Sequence, residues 1–450
     1  MLTIIIPMLI LFAIVLIPKI PKIGGEIRIG LIAAGLVAAI LGGLGPIEIL
    51  KATIDGIDRL AWVIMLSIFG SIYAETQVKL GTMDTTLLSL RSVFGKSSNG
   101  LIAAIILTLV LAGSLLGDAI AAATVIGFLV INSLHELKVK PEQIGMIILV
   151  GASLGSIMPP ISQGIFLSAS LINTDPGPVL QVAYFTVGLG VIFAIVESFR
   201  FVKGKKLPAE LLPDKTFLQI MKQKWYTLVP LLVLVFIIVA NSGFKYDIFS
   251  EWPFFAIIVD TLKDIPILKG LTFKVVMAIL VATFVSYLFL VFRKDTQGVF
   301  TGGLGKVKQT VQIQLSAGFM IGIFYATGAI DIVKTYAEGL HGTTLKIGGG
   351  LATALIGMLT GSQTAAQTTI VTFFGPILEN LGVNPVNIAI GASHIAAAGQ
   401  NMPPVGLTAF VVCGLIGGIL STKVDPVKVM FLALPNSVYF LIAGFIALFI

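Results

Sequence analysis

The chain has 450 residues, 56% of them hydrophobic and 11% charged, with a mean hydropathy of +1.03. Soluble domains carry about 25% charged residues, so this composition excludes a water-soluble fold and leaves a membrane bundle. The formal charge of +7 does not call for nucleic acid, because a membrane protein sorts its basic residues by side. The single cysteine, Cys413, excludes an internal disulfide and a cysteine-based metal cluster.

A helix needs about 20 apolar residues to cross a bilayer, and the apolar runs supply them repeatedly. The first, 2–17, has no basic residue before it and no small-x-small cleavage site after it, so it reads as a retained spanning helix. Further spans fall at 29–50, 59–78, 141–172, 179–199, 225–241, 271–292, 309–333, 386–416 and 429–449. Two stretches, 99–131 and 348–378, are too long and too interrupted for one helix and carry small polar residues at their centres. They read as re-entrant hairpins, because irregular backbone at that depth needs protein or a water-filled cavity around it. The stretch 242–270, with Asp247, Glu251, Asp260 and Asp264 spaced through an apolar background, reads as an interfacial amphipathic segment. The fold class expected is an all-α polytopic membrane protein with about ten spanning helices plus two hairpins, set in the cytoplasmic (inner) membrane. Its organisation is expected as scaffold helices over 1–58, a first repeat over 59–199, a basic cytoplasmic linker over 200–224, linking scaffold helices over 225–308 and a second repeat over 309–450.

Placing the amino terminus outside sends most Lys and Arg to inner loops. It leaves Lys51, Arg59, Lys245, Lys263, Lys269, Lys274, Lys334 and Lys346 outside, the bias that the positive-inside rule requires. Under this layout the first hairpin opens from the inside and the second from the outside, so the two repeats are inverted. Aligning Gly100 with Gly348 brings Gly113-Ser114 over Gly361-Ser362. A four-residue adjustment then brings Pro141 over Pro385, Gly155 over Gly399, Met158-Pro159-Pro160 over Met402-Pro403-Pro404, and Phe166 over Phe410. Inverted repeats of this kind underlie alternating access in secondary transporters; a duplication kept only for packing is the alternative.

Proline removes an amide hydrogen and pushes the residue before it out of the helical region. Each Pro-Pro should therefore split its helix, freeing carbonyls on one half and amides on the other. Carbonyls can hold Na⁺, and the positive end of a half-helix can hold a carboxylate. At the first break the candidates are Gly155, Ser156, Pro159, Pro160 and Ser162, with Ser153 and Gln163 nearby. At the second they are Gly399, Gln400, Asn401, Pro403, Pro404 and Thr408. The hairpin centres add Gly113, Ser114 and Asp118 on one side, and Gly361, Ser362, Gln363 and Thr364, with Thr360 and Gln367, on the other. Hard cations favour these hydroxyl, amide and carbonyl oxygens, so Na⁺ sites are expected at the hairpin tips facing the helix breaks. Small residues also permit close helix packing, and Asp118 could either neutralise a cation or merely cap a helix. His394, lone in an Ala-rich run, reads as a packing residue. No His-Glu-x-x-His, phosphate-binding Gly loop or Gly-x-Ser-x-Gly occurs, and His135, His341 and His394 are scattered, so neither an enzyme nor a cofactor is expected.

The order of these motifs, ending in Asn401-Met402-Pro403-Pro404-Val405-Gly406-Leu407 with Phe410 beyond, resembles the large membrane subunit of tripartite ATP-independent periplasmic (TRAP) transporters in the ion-transporter superfamily. The likeness runs from about residue 60 to the end. It implies Na⁺-driven uptake of a small organic anion, a dicarboxylate or sialic-acid-like molecule, by elevator movement of the hairpin-bearing core against a scaffold. It also implies two partners encoded elsewhere, a small membrane subunit and an extracytoplasmic substrate-binding protein. The alternatives are a stand-alone Na⁺- or H⁺-coupled carboxylate symporter or Na⁺/H⁺ antiporter of the same superfamily, and a passive anion channel.

Overall fold

The computed structural model of the chain describes residues 2–17, 21, 24–242, 246–289, 292, 295–329, 332 and 342–450. Lys19, Lys22, Lys245, Arg293, Lys294, Lys334 and His341 lie outside the described residues. Among the described residues the chain is all helix, without strands. It opens with α1 (Leu2–Leu16) and α2 (Ile27–Leu41). The expected span 29–50 is in fact two helices, because Gly43 takes a left-handed φ of +71° and Pro46 starts α3 (Pro46–Arg59) at a position where a missing amide hydrogen does no harm. α4 (Ala61–Leu80) follows, then α5 (Thr82–Phe94), a helix the apolar pattern did not show.

The first hairpin is α6 (Ser98–Leu116) and α7 (Ala119–Glu136). The first broken helix is α8 (Pro141–Ile157) with α9 (Gln163–Ile172), and α10 (Pro176–Ser198) completes this part. The basic linker is not wholly irregular: Thr216 and Gln219 form a capping box that starts α11 (Phe217–Lys224). α12 (Val229–Ser242) leads into the short helices α13 (Ile248–Glu251) and α14 (Pro253–Leu262). α14 buries none of its residues and leaves Phe254 and Ile257 exposed, so this stretch is not a buried span. α15 (Lys274–Ser286) precedes α16 (Thr296–Ala326).

α16 corrects the expected span 309–333. It begins thirteen residues earlier, where Asp295 accepts a hydrogen bond from the Gly298 amide at 3.0 Å, and continues through a glycine-rich stretch. Those glycines are packing surfaces. A Cβ on Gly303 would meet Ile72 of α4 at 2.8 Å, and one on Gly322 would meet the Ala52 carbonyl of α3 at 1.8 Å. Close backbone approach through small residues is the usual way membrane helices associate. α16 thus becomes a strut against α2, α3 and α4. Ion pairs Lys306–Glu75, at 2.6 Å, and Lys79–Asp295 join it to α4. The Lys79 hydrogen bond beside Asp295 holds that carboxyl below the usual carboxylate range.

The second hairpin is α17 (Gly342–Thr360) followed by α18 (Gln363–Ala366), a π-helical turn (Gln367–Val371) and α19 (Thr372–Asn380). The second broken helix is α20 (Pro385–Gln400) with α21 (Leu407–Leu420), and α22 (Pro426–Phe449) closes the chain. Seven helices among the described residues are long and apolar enough to cross a membrane, the arms of the hairpins α6, α7 and α17 among them.

The tertiary structure changes the register of the internal repeat. Gly117 (φ +67°) and Gly361 (φ +64°) make the two left-handed tips, and their amides donate to Gly113 and Gly357 at 2.8 Å each. Asp118 and Ser362 then cap the following arms, accepting from Ala121 and Ala365. Gly117-Asp118, not Gly113-Ser114, is therefore the counterpart of Gly361-Ser362. With that pairing the two copies keep one register without a gap from Gly113 and Gly357 to Phe166 and Phe410. Even the left-handed residue after each hairpin, Lys138 (φ 59°) and Gly382 (φ 80°), coincides. Contacts between the copies are reciprocal: α8 packs on α21 and α22, while α20 packs on α9 and α10.

Candidate transport site

Each hairpin tip rests on its own helix break. A Cβ on Gly113 would lie 2.7 Å from the Gly155 Cα, and one on Gly357 would lie 3.0 Å from the Gly399 Cα, so these glycine pairs let α6 reach α8 and α17 reach α20. At the first tip the Gln163 side chain lies over Gly117. At the second, the Val405 amide donates to the Met358 carbonyl at 3.2 Å, and Gly361 sits against the Leu407 amide.

The breaks form where the prolines demand them. α8 ends at Ile157 and α9 begins at Gln163; α20 ends at Gln400 and α21 begins at Leu407. Pro159-Pro160 and Pro403-Pro404 are both cis. In the first break Ser156 Oγ donates to the Ser153 carbonyl at 2.8 Å, and Ser162 Oγ donates to the Ser156 carbonyl at 3.1 Å while accepting from the Ile165 amide at 3.2 Å. The second break has Gly406 where the first has Ser162, so no side chain caps α21.

The two breaks also meet each other. Ser153 Oγ donates to Asn401 Oδ1 at 2.9 Å, Gln363 Nε2 donates to Ser156 Oγ at 3.2 Å, and the Gln363 amide donates to Gln400 Oε1 at 3.3 Å. Residues distant in sequence thus form one buried polar cluster that spans both copies. Two of its members hold buried polar atoms with no hydrogen-bond partner, Gln363 Oε1 and Gln400 Nε2, as does Ser114 Oγ on the first hairpin. An unpaired buried polar atom costs about 1–3 kcal/mol, which points to a ligand that pairs with it in use. Gln367, one turn beyond Gln363, is fully buried with both amide atoms unpartnered and opens the π-helical turn; such turns recur at functional sites.

Of the sequence candidates, Ser156, Gln363, Gln400 and Asn401 form this cluster, Ser162 is bonded to Ser156, and Gly113, Gly155, Gly361 and Gly399 make the close contacts between hairpins and breaks. Ser114, Pro159 and Thr408 are buried, and Asp118, Pro160, Ser362, Thr364 and Pro403 are half-buried. Pro404 is exposed, on the outward side of the second break with Leu407 and Phe410. His394 lies away from the breaks, its Nε2 2.7 Å from Thr186 Oγ1 and its ring against Phe440. Ser153 and Gln163 take larger parts than the motif alone assigned them. A cavity of about 740 Å³ lies elsewhere, between Asp58, Trp62, Asp175, Lys269, Phe273 and Lys274. It touches neither tip nor break, although Trp62 packs edge-on against Phe166 of α9.

The whole chain, residues 1–450, matches the family described as tripartite ATP-independent periplasmic transporter, DctM component. This chain belongs to that family. It is therefore a multi-pass membrane transporter and not an enzyme, and the family is one component of a tripartite system with a small membrane component and a periplasmic binding component. Sequence similarity extends to an uncharacterized transporter of Haemophilus influenzae, 24% identical over 228 residues that cover 50% of this chain and 71% of that one. The fold resembles the crystal structure of the YdaH transporter of Alcanivorax borkumensis, with a TM-score of 0.61, 16% identity, and 89% of this chain and 86% of that one covered. It also resembles MtrF of Neisseria gonorrhoeae, described as illuminating a class of antimetabolite efflux pumps, with a TM-score of 0.62, 17% identity and 94% and 93% coverage. At these identities the likeness is one of fold.

Proposed function

We propose that this DctM-family chain couples Na⁺ to the uptake of a small organic anion, received from an extracytoplasmic binding protein, and that the cluster at the paired breaks is the binding site. One observation carries the reading: the second tip and both breaks converge on a single buried polar cluster that leaves oxygen and amide groups unpaired, and the first hairpin packs on its own break through Gly113 and Gly155. The carbonyl ends of α8 and α20, with the Ser114, Ser156 and Ser162 hydroxyls, supply the oxygen ligands a hard cation takes. The uncapped amides of α21, with Thr408 and the unpaired Gln400 Nε2 beside them, supply a carboxylate subsite. No basic side chain is needed, because bound Na⁺ supplies the positive charge.

Alternating access follows if the repeats are inverted across the membrane, so that each tip gates one side while the core slides against α1–α4 and the helices of 225–308. The reading is tested in proteoliposomes holding this chain with its small membrane partner and binding protein. Uptake of a labelled C4-dicarboxylate or sialic acid is expected only with an inward Na⁺ gradient and binding protein together. Uptake that proceeds without either one overturns it, and Na⁺-driven uptake without the binding protein favours a stand-alone symporter.

A further inference from the structure

Copy one differs from copy two in a single charge at the tip. The second tip is capped by Ser362, whose hydroxyl accepts from the Ala365 amide at 3.2 Å; the first is capped by Asp118, whose Oδ1 accepts from Ala121 at 2.7 Å. A hydroxyl suffices for the cap, so the carboxylate of Asp118 is a charge that capping does not require. It faces a small cavity of about 40 Å³ with Gln163 on one wall and Ser71, Lys306 and Thr310, from α4 and α16, on the other. That volume admits a cation or a water, not an organic anion. Lys306 is held by Glu75 of α4 at 2.6 Å, with half of its side chain exposed and Glu75 mostly buried. One carboxylate, Glu75 of α4, thus holds the ammonium, while a second, Asp118 on the hairpin tip, lines the same cavity as the flexible four-carbon Lys306 side chain.

We infer that Lys306 is a tethered competitor of the coupling cation: it turns from Glu75 to Asp118 when the cation is absent and is returned to Glu75 when the cation binds. An intramembrane carboxylate left without a counter-charge is costly, and Lys306 lines the same cavity as Asp118. The tip of the empty carrier is thereby pinned to the strut helix α16, and cation binding frees it. This inference rests on the Na⁺-coupled reading above for the identity of the cation, not for the pairing itself.

The test is the apparent Na⁺ half-saturation of uptake in the full reconstituted system. Lys306→Gln removes the competitor and should lower it by about fivefold, the scale a contact between partly buried charges commonly reaches. Glu75→Gln releases Lys306 toward Asp118 and should raise it by a similar factor. Lys306→Arg keeps wild-type dependence, and in an Asp118→Asn background Lys306→Gln has no further effect on half-saturation. A static brace between Lys306 and Glu75 predicts that both neutral variants shift Na⁺ dependence in the same direction, which would overturn the proposal. A second readout needs no transport. In a Cys413→Ala background, Ala121→Cys with Thr310→Cys, which line the same cavity and leave both charges in place, should be linked by a short bismaleimide faster in Na⁺-free buffer than in Na⁺, and Lys306→Gln should abolish the Na⁺-free advantage; no link in either buffer, or a link indifferent to Lys306→Gln, overturns it. Transport that ignores Na⁺ altogether refutes the proposed function alone, and loss of the Na⁺-free link on Lys306→Gln then decides the pairing.

Discussion

Gly361→Ala isolates the contact between the second tip and the second break. The substitution carries two penalties. The first is conformational: at φ +64° a Cβ costs about 1–2 kcal/mol. The second is steric: the new Cβ would lie 2.7 Å from the Leu407 amide nitrogen and 3.1 Å from the Val405 carbonyl oxygen, where ordinary contact begins at 3.4 Å. Both obstacles are backbone and cannot rotate aside, so overpacking adds about 1–3 kcal/mol. Gly43→Ala is the matched control, with φ +71° and nothing within 4 Å of a Cβ. Thermal unfolding in detergent should therefore place Gly361→Ala below Gly43→Ala by the contact part alone. A tip pushed back by about 0.7 Å should also weaken substrate and Na⁺ half-saturation by roughly tenfold or more, since misplacements of this order are felt strongly at a built site. Gly43→Ala should transport like wild type. If the two variants match in both melting and uptake, the tip does not form part of the site.

Three further outcomes follow from the same geometry. Ser153→Ala and Asn401→Ala each leave a buried polar partner unpaired and should destabilise by about 1–3 kcal/mol; a double-mutant cycle on thermal stability should return a coupling of about 1 kcal/mol, and additivity would deny the bond between the copies. Asp295 has a folded pKa below its usual value because of the Lys79 hydrogen bond, so the stability it contributes is present above the unfolded value of about 3.9 and is lost as pH falls through the folded one. Lys79→Gln should accordingly be less stable than wild type at neutral pH, and the gap should close in an acid titration of the melting temperature. Cys413 is buried, so maleimide should label the folded protein slowly and the denatured protein quickly.

The breaks and hairpins were legible because proline and glycine act locally: Pro159-Pro160 and Pro403-Pro404 interrupt their helices whatever surrounds them. The span boundaries near 42 and 296 were not. The apolar run across 29–50 hides a turn that only the left-handed Gly43 reveals, and the first turns of α16 carry no apolar run to mark them, although Gly303 packs against Ile72. The repeat register was misplaced by four residues because Gly-Ser occurs one turn before the first tip, and identity of two residues outweighed the capping role that Asp118 shares with Ser362. Lys306 was invisible as a site residue, since its place among inner basic residues gave no sign that a hairpin tip would reach it.

The central claim concerns where the ion goes, and a cryo-EM map of the chain with its membrane partner in NaCl, against one in choline chloride, addresses it most directly. Na⁺-dependent density is expected at the tips facing the breaks, within coordinating reach of Ser114 and Ser156 in one copy and of the α20 end near Gln400 in the other. Density confined to the 740 Å³ cavity, or tips and breaks unchanged and empty in both salts, would contradict it.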